Sequence, residues 1–274
     1  MSRSISLAHL TAIDLAPPRL IEAAAKAGFD AVGLRLIRVT DTSPGYPLMQ
    51  DKAILSQTKA ALRDTGLCVS DIEFVKIEPE TDVSSLGPFL DTGAELGARE
   101  VICAPYDPEL QRLAETLGRL SDAAHERGLR VSFEFFPWTA VPDLSSARQM
   151  VEMAGPDLGI LVDTLHFDRS HSTLNDLRNV SSDRLRFAHL CDAPVQESYS
   201  TEQLLHTARA ERLPPGEGQI DLVSFLAALP PSIPIGIEVP MTHNTAVQGI
   251  DAILSRVMSA TKSVLASAAA DRMR

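Results

Sequence analysis

Cysteine is scarce in this sequence, and the cysteines that it has are far apart. They are Cys68, Cys103 and Cys191 in a chain of 274 residues, and they form no CxxC pair. Disulfide-bonded scaffolds and zinc ribbons both need closely spaced cysteines, so these two classes of protein are excluded. Residues 1–5 also lack the long apolar core of a signal peptide, and we expect a reduced, cytoplasmic protein.

Long apolar runs and basic clusters are missing as well. No apolar run reaches roughly 20 residues, the length needed to cross a bilayer, so we expect no membrane-spanning helix. The net charge is −11, from 25 basic and 36 acidic residues, and no group of Lys or Arg stands out. Because an acidic surface repels phosphate backbones, we expect a small-molecule partner rather than a nucleic acid or a membrane.

What the chain does contain is a repeat of helix, glycine and apolar strand. Predicted helices end at Gly28, Gly66, Gly97 and Gly128, where glycine can adopt the left-handed conformation that reverses the chain. Each of these glycines is followed by a short apolar run typical of a strand. With an opening strand and three later runs, the predicted strands cover residues 5–10, 29–34, 67–72, 98–103, 129–134, 159–163, 185–189 and 234–238.

Strands that alternate with helices in units of about 30 residues indicate parallel pairing through right-handed crossovers. Eight such units predict a single α/β domain, a (β/α)8 TIM barrel over residues 1–270, with residues 271–274 as a frayed tail. A doubly wound open sheet is the alternative fold. It is disfavoured because no glycine-rich phosphate turn follows the first strand.

Several segments between the strands carry further predictions. Helices are predicted over residues 139–154 and 219–229, and Asp221 is a candidate N-cap for the second. The longest irregular segments, residues 39–47 and 193–215, both follow strands. In a barrel, such segments lie over the face that carries function.

Four successive apolar strands each end on a side chain that can bind a metal. Glu134, Asp163, His189 and Glu238 follow the last four predicted strands in turn. In a barrel these strand ends are neighbours, so we expect the four side chains to converge. Three carboxylates and one imidazole form an oxygen-rich ligand set. We expect Mn²⁺ there, with Mg²⁺, Co²⁺ or Zn²⁺ as alternatives.

The sequence around these residues resembles the xylose isomerase-like TIM-barrel superfamily, whose members are often called sugar phosphate isomerases or epimerases. The resemblance covers nearly the whole chain and is most specific between residues 128 and 240. The motifs that carry it are Phe133-Glu134, Asp163-Thr164-Leu165-His166, His189-Leu190-Cys191-Asp192, Pro215-Gly216-Glu217-Gly218 with Asp221, and Ile237-Glu238.

The resemblance implies that Glu134, Asp163, His189 and Glu238 bind a divalent metal. It also implies that the two glutamates move a proton on opposite faces of the substrate, while His166 holds a substrate oxygen. A metal bound to a carbonyl and the neighbouring hydroxyl acidifies the C–H between them. The expected function is therefore a metal-dependent isomerase or epimerase that acts on a small polyhydroxy carbonyl compound through a metal-stabilised enediolate.

Other residues are candidates for binding the substrate. Arg35 and Arg212, with Arg38 and Arg209 as further candidates, could hold a carboxylate or phosphate. Trp138 is expected to line the pocket, with core packing as the alternative.

Two further acidic residues, Asp192 and Glu217, are not expected to bind the metal. Asp192 could orient a histidine or contact the substrate, and a loop hydrogen bond is its alternative role. Glu217 lies between two glycines that indicate a tight turn, so it is not expected to bind the metal.

One position departs from the epimerase pattern. Ketohexose epimerases of this superfamily carry an arginine six residues after the metal histidine, and this chain has Val195 there. Residues 187–194, with Arg212 ahead of the Pro-Gly-Glu-Gly turn, look more like 3-dehydroshikimate dehydratases. The alternative function is therefore a metal-dependent lyase acting on a carboxylated cyclic ketone.

Two further functions are disfavoured by the sequence. A DNA-repair endonuclease on a related barrel would need more histidines and a basic groove, and a non-catalytic scaffold would not need His166. By analogy with the family, we expect a homo-oligomer.

Overall fold

Eight parallel strands close into a barrel. The computed structural model describes residues 3–40 and 42–271, and within them each strand pairs with the next, while the last pairs with the first. The single (β/α)8 barrel predicted from the sequence is confirmed. The strands are β1 (Ile5–Leu7), β2 (Ala31–Arg35), β3 (Cys68–Ile77), β4 (Glu100–Pro105), β5 (Arg130–Glu134), β6 (Leu158–Asp163), β7 (Leu185–Leu190) and β8 (Ile235–Ile237).

Helices connect the strands on the outside of the barrel. In the part of the chain that the structure describes, none of them is long and apolar enough to cross a membrane. They are α1 (Pro17–Ala27), α2 (Lys52–Thr65), α3 (Gly87–Glu95), α4 (Leu110–His125), α5 (Leu144–Ala154), α6 (Thr164–Arg169), α7 (Leu174–Arg178), α8 (Thr201–Ala210), α9 (Leu222–Ala228), α10 (Thr242–Gln248) and α11 (Ile250–Asp271). The frayed tail was predicted from residue 271, but Asp271 still belongs to α11, and residues 272–274 lie outside the described residues.

Two of the four glycines that predicted helix ends are C-caps, whereas the caps of α3 and α4 are Leu96 and Glu126, shortly before Gly97 and Gly128. Gly28 follows α1 with φ 87° and Gly66 follows α2 with φ 73°, both in the left-handed region. The Gly28 N–H donates to the carbonyls of Ala24 and Ala25, which would otherwise lack partners at the end of α1. Asp221 caps α9 as predicted, since its carboxylate accepts from the Ser224 N–H at 3.0 Å.

The predicted end of the opening strand and the predicted start of the helix over residues 139–154 were wrong. The opening strand was predicted over residues 5–10, but β1 ends at Leu7, and a 3₁₀ helix over His9–Ala12 follows. Here Thr11 donates to the Ile237 carbonyl at 3.0 Å and accepts from Val239 N–H at 2.9 Å, so this segment is tied to β8 instead of extending β1. The helix predicted from residue 139 starts only at Leu144, because Asp143 caps it.

The segment over residues 193–215 was predicted to be irregular, but it contains α8. The helix starts with a capping box, in which Ser200 and Gln203 satisfy each other's backbone N–H groups. Arg209 therefore lies on a helix rather than in a loop. The Ser-x-x-Gln pattern before α8 was the sequence signal that could have predicted it.

Both faces of the barrel strands are buried, as expected for parallel strands covered by helices. The larger apolar core lies between strands and helices. A second, separate cluster of six apolar side chains includes Leu161 and Phe187. Because side chains alternate along a strand, Leu161 shares a face of β6 with Asp163, and Phe187 shares a face of β7 with His189. The candidate metal ligands therefore extend this inward-facing cluster toward the carboxyl ends of the strands.

Candidate metal and active site

The four strand-end residues predicted to bind a metal lie together. Asp163 and His189 are register partners on β6 and β7, and His189 pairs with Gly236, two residues before Glu238. Glu134 is the last residue of β5. All four side chains are buried, and each offers one ligand atom within 4.8 Å of the other three. The convergence expected from barrel topology is therefore present in the structure.

The spacing and chemistry of these atoms fit one cation. His189 Nδ1 lies 3.7 Å from Glu238 Oε2 and 4.0 Å from Asp163 Oδ2. Two atoms bound to one ion at about 2.1 Å each lie at most about 4.2 Å apart, so both distances are compatible with a shared metal. Glu134 Oε1 and His189 Nδ1 are buried and have no hydrogen-bond partner among the described residues. A cation would satisfy both atoms.

Asp163 is held in place by the backbone that follows it. Its Oδ1 accepts from the N–H groups of Leu165 at 2.7 Å and His166 at 3.1 Å, so Asp163 is also the N-cap of α6. Its other oxygen, Oδ2, faces the other candidate metal ligands. The motif Asp163-Thr164-Leu165-His166 is thus a strand end, a helix cap and a first helical turn. This turn carries His166 to the side of the site.

Arg212 lies inside the site. Its side chain is 2% exposed, with Nη1 2.6 Å from Asp163 Oδ2 and Nη2 2.8 Å from Glu238 Oε2. Its Nε donates to the Ala208 carbonyl at 3.1 Å. The sequence suggested that Arg212 anchors an anionic substrate group, but its donors are used on two metal-ligand carboxylates. Its observed role is to balance their charge.

The buried charges shift one another's pKa values. Burial raises the pKa of Glu134 well above its usual value, and the nearby Glu238 carboxylate adds to this. Burial alone would lower the pKa of His189, but Glu238 and the other carboxylates raise it to about 10. Burial would raise the pKa of Asp163, but Arg212 and the histidines hold it below its usual value. The carboxylates thus favour protons on His189 and Glu134, and a cation bound at these side chains would displace those protons.

His166 lies beside Glu134, with Nε2 3.8 Å from Glu134 Oε1. The rings of Phe136 and Trp138 both contact it edge-on, at centroid distances of 4.7 and 5.3 Å. Burial lowers the pKa of His166 to about 4, so the imidazole is neutral at pH 7. Its Nδ1 is buried and has no hydrogen-bond partner among the described residues, so it is available to a ligand.

A cavity of about 230 Å³ lies over these groups. Trp138 lines it, as the sequence predicted, and stacks on Phe136 at a centroid distance of 4.8 Å. Acidic, basic and hydroxyl-bearing side chains form one part of the lining, and apolar side chains form another. The lining includes Arg35, Glu73, Phe74, Tyr106, Glu134, Phe136, Trp138, His166, Arg209, Arg212 and Glu238.

Asp192 does not line this cavity. Its Oδ1 accepts from the N–H groups of Ala193 at 2.8 Å and Ile220 at 3.0 Å, and its Oδ2 accepts from Gly216 at 3.0 Å. The structure therefore shows the alternative role, which is hydrogen bonding within the loops. Asp192 does not face the cavity where it was expected to contact the substrate. Glu217, which was expected to lie outside the metal site, pairs with Arg256 at the surface.

Sequence reasoning missed parts of the cavity. Phe74 follows Glu73 on β3 and stacks on Phe136 at a centroid distance of 5.9 Å, which extends the aromatic wall. The predicted third strand ended at residue 72, whereas β3 continues to Ile77. Extending the strand through the apolar run Phe74-Val75 would have indicated that Phe74 lies at the same rim as the candidate metal ligands.

Comparison with known proteins identifies the family. A family model described as "Xylose isomerase-like TIM barrel" matches residues 21–256. The chain belongs to this family. The resemblance inferred from the sequence motifs is thereby confirmed.

Two curated relatives carry different reaction names. The 3-dehydroshikimate dehydratase of Pseudomonas putida is 26% identical over 275 residues, covering 93% of this chain but only 41% of the relative. The ketose 3-epimerase of Arthrobacter globiformis is 26% identical over 235 residues, covering 73% of this chain and 74% of the relative. This xylose isomerase-like chain is therefore related to both dehydratases and epimerases.

A solved structure shares the fold over almost the whole chain. It is the IOLI protein with a binding zinc atom, with a TM-score of 0.80 and 18% identity, covering 96% of this chain and 98% of the other. At this identity the likeness shows the fold alone. The fit of a metal to this chain depends on its own four side chains.

Gly236 gives a test of how tightly the metal histidine is packed. A methyl group added at Gly236 would lie 2.6 Å from His189 Cδ2 and 2.9 Å from Nε2, closer than unstrained contacts allow. We expect Gly236→Ala to displace the imidazole and to weaken Mn²⁺ binding by about tenfold or more, as other changes behind metal ligands do. Titration of free Mn²⁺ by electron paramagnetic resonance measures this affinity.

The matched control is Gly159→Ala on β6. Its added methyl would meet the side chain of Arg186 rather than a metal ligand. We expect this variant to keep the wild-type Mn²⁺ affinity. Equal affinities in the two variants would contradict the placement of His189.

Proposed function

We propose that this protein is a divalent-metal-dependent isomerase or epimerase that moves a proton next to a carbonyl group of a small polyhydroxy compound. The observation that carries the proposal is the buried cluster of Glu134, Asp163, His189 and Glu238, with the neutral His166 beside it under one small cavity. Mn²⁺ is the proposed metal, because three carboxylates and one imidazole form a mainly oxygen ligand set.

Each side chain has a distinct proposed task. When bound, the cation would polarise the substrate carbonyl and acidify the neighbouring C–H. Glu134 and Glu238 are the pair that removes and returns the proton, and Glu134 Oε1 has no other partner among the described residues. His166 donates a hydrogen bond to the oxygen on which negative charge develops. Arg212 keeps Glu238 and Asp163 in position.

Aromatic side chains along one side of the cavity restrict which substrates can bind. Phe74, Phe136 and Trp138 stack in sequence across one side of the cavity, and Tyr106 contacts Phe136 edge-on at 6.2 Å. These rings exclude water from the reacting carbon, which strengthens the hydrogen bond from His166. They also favour a substrate that presents a flat C–H face.

A dehydratase is the second candidate. It is supported by the relative of that name whose similarity covers 93% of this chain, and by the aromatic wall, which would also accept a cyclic ketone. The first step, removal of a proton next to the carbonyl, is common to both reactions. In a lyase, the same proton transfer is followed by loss of water.

The experiment that tests the proposal is proton exchange in D₂O. Mn²⁺-loaded protein is incubated with a panel of ketoses, keto-inositols and carboxylated cyclic ketones, and ¹H NMR follows loss of the signal next to the carbonyl. Exchange or epimerisation without a new chromophore supports the leading function, whereas a conjugated-enone absorbance supports the lyase. Absence of metal-dependent exchange across all three classes would contradict both.

A further inference from the structure

Arg35 and Glu73 form a second buried charged pair in the cavity. They are register partners, Arg35 as the last residue of β2 and Glu73 in the middle of β3, and they are 7% and 1% exposed. Arg35 Nη2 lies 3.0 Å from Glu73 Oε2, and both residues line the cavity above the candidate metal ligands. Neither residue belongs to the metal cluster.

The backbone on both sides of this pair is fixed. The Arg35 N–H donates to His9 Nδ1 at 2.9 Å, and the Arg35 carbonyl accepts from the Tyr46 N–H at 2.9 Å. Burial lowers the pKa of His9 to about 3, so the ring is neutral and its other nitrogen, Nε2, donates to the Leu15 carbonyl at 2.9 Å. His9 also stacks on Tyr46. Arg35 is therefore held in one position before any ligand arrives.

Each residue of the pair has one buried polar atom without a partner. Arg35 Nε and Glu73 Oε1 are both buried, and neither has a hydrogen-bond partner among the described residues. Buried polar atoms are normally paired, so an unpaired donor and an unpaired acceptor on two side chains that contact each other indicate a missing polar partner. A hydroxyl group can donate to Glu73 Oε1 and accept from Arg35 Nε at the same time.

A carboxylate does not fit these two atoms. It can only accept, so it would leave Glu73 Oε1 unpaired and would approach a second carboxylate in a buried site. The sequence had suggested Arg35 as an anchor for an anionic group, but Glu73 already neutralises its charge. Of the other two arginines that line the cavity, Arg212 is neutralised by Asp163 and Glu238, which leaves only the solvent-exposed Arg209 of these three to hold an anion.

We propose that the Arg35–Glu73 pair is a hydroxyl-binding subsite that selects a neutral polyhydroxy substrate over a carboxylated one. This inference rests on the proposed function, since it assigns the substrate class of the same cavity. It favours an isomerase or epimerase of neutral sugars and cyclic polyols over a lyase that acts on an acid.

The test reads Arg35 directly and needs no turnover. Protein labelled with ¹⁵N-arginine is titrated with xylitol and, separately, with D-xylonate, the acid with the same carbon chain, and the Arg35 Nε–H signal is followed. In the wild type we expect xylitol to shift this signal at a concentration at least tenfold lower than D-xylonate. In Glu73→Gln, which leaves the Arg35 charge unbalanced, we expect the order of the two ligands to reverse.

Glu100→Gln is the matched control. Glu100 is a buried carboxylate on β4 that pairs with Arg130, but neither residue lines this cavity. This variant is expected to keep the wild-type preference. Three results would overturn the proposal: no shift of Arg35 with either ligand, equal or tighter binding of D-xylonate in the wild type, or an unchanged preference in Glu73→Gln. A chain that binds xylitol at Arg35 but shows no metal-dependent exchange would contradict the proposed function alone.

Discussion

Replacing Glu134 by glutamine is expected to lower the rate of metal-dependent C–H exchange by about 10²–10⁴-fold, the usual effect of losing one general base. Glutamine has nearly the same shape, and its amide oxygen can still contact a cation, but it cannot accept the substrate proton. Glu134 Oε1 is buried beside His166 and has no other partner among the described residues, and Glu238, the other proposed proton-transfer group, would act on the opposite face of the substrate. The measurement is loss of the substrate ¹H signal in D₂O.

The control for this prediction is again Glu100→Gln, which changes a buried glutamate on the adjacent strand. It removes the same charge from a pair with Arg130 that does not line the cavity. We expect its exchange rate to stay within about twofold of the wild type. An exchange rate in Glu134→Gln as high as in this control would show that Glu134 is not the base.

Replacing Arg212 by methionine is expected to destabilise the metal-free protein by about 3–5 kcal/mol, the usual cost of leaving buried charges without a partner. Arg212 bridges Asp163 and Glu238, and all three side chains are buried. Methionine fills much of the same volume but supplies no charge. The free energy of unfolding, measured with urea in the presence of a chelator, gives the effect.

The matched control is Arg256→Met, which removes an arginine that pairs with Glu217. The Arg256 side chain is 39% exposed, and exposed pairs contribute about 0–1 kcal/mol. Adding Mn²⁺ should stabilise the wild type and Arg256→Met equally but should narrow the gap between Arg212→Met and the wild type, because a cation at the four ligands would replace the missing positive charge. Equal destabilisation of the two variants would contradict the assigned role of Arg212.

The fold and the metal cluster were accessible from sequence because both follow from the repeat. Glycines such as Gly28 and Gly66 mark helix ends, and the apolar run after each helix marks a strand. In a closed parallel barrel, the carboxyl ends of all strands meet at one face. Residues such as Asp163 and His189, each at a predicted strand end, are therefore neighbours without any knowledge of side-chain contacts.

The partners of the arginines were not accessible in the same way. Arg212 and Asp163 are 49 positions apart, and Arg35 and Glu73 are 38 apart. Neither pairing follows from a helical or strand period, and an arginine next to an active face is equally compatible with a substrate anion or an internal carboxylate. Only the folded geometry shows that Arg35 and Arg212 already have acidic partners.

Charge neutralisation of these two arginines bears on the choice between the two candidate reactions. A lyase for a carboxylated ketone needs a cation for the carboxylate, and the neutralised pairs leave the exposed Arg209 for this role among the three arginines that line the cavity. A neutral polyol needs donors and acceptors in combination, which Arg35, Glu73 and His166 offer. For this reason the isomerase or epimerase is the leading proposal, although the relative whose similarity covers 93% of the chain is named a dehydratase.

The central claim is that Glu134, Asp163, His189 and Glu238 together bind one divalent cation. Anomalous diffraction at the manganese edge, from crystals grown with Mn²⁺, tests it most directly. The account predicts one strong peak per chain, with all four side chains within about 2.0–2.3 Å of it. A map with no peak at these residues, or with the manganese bound elsewhere, would contradict the claim.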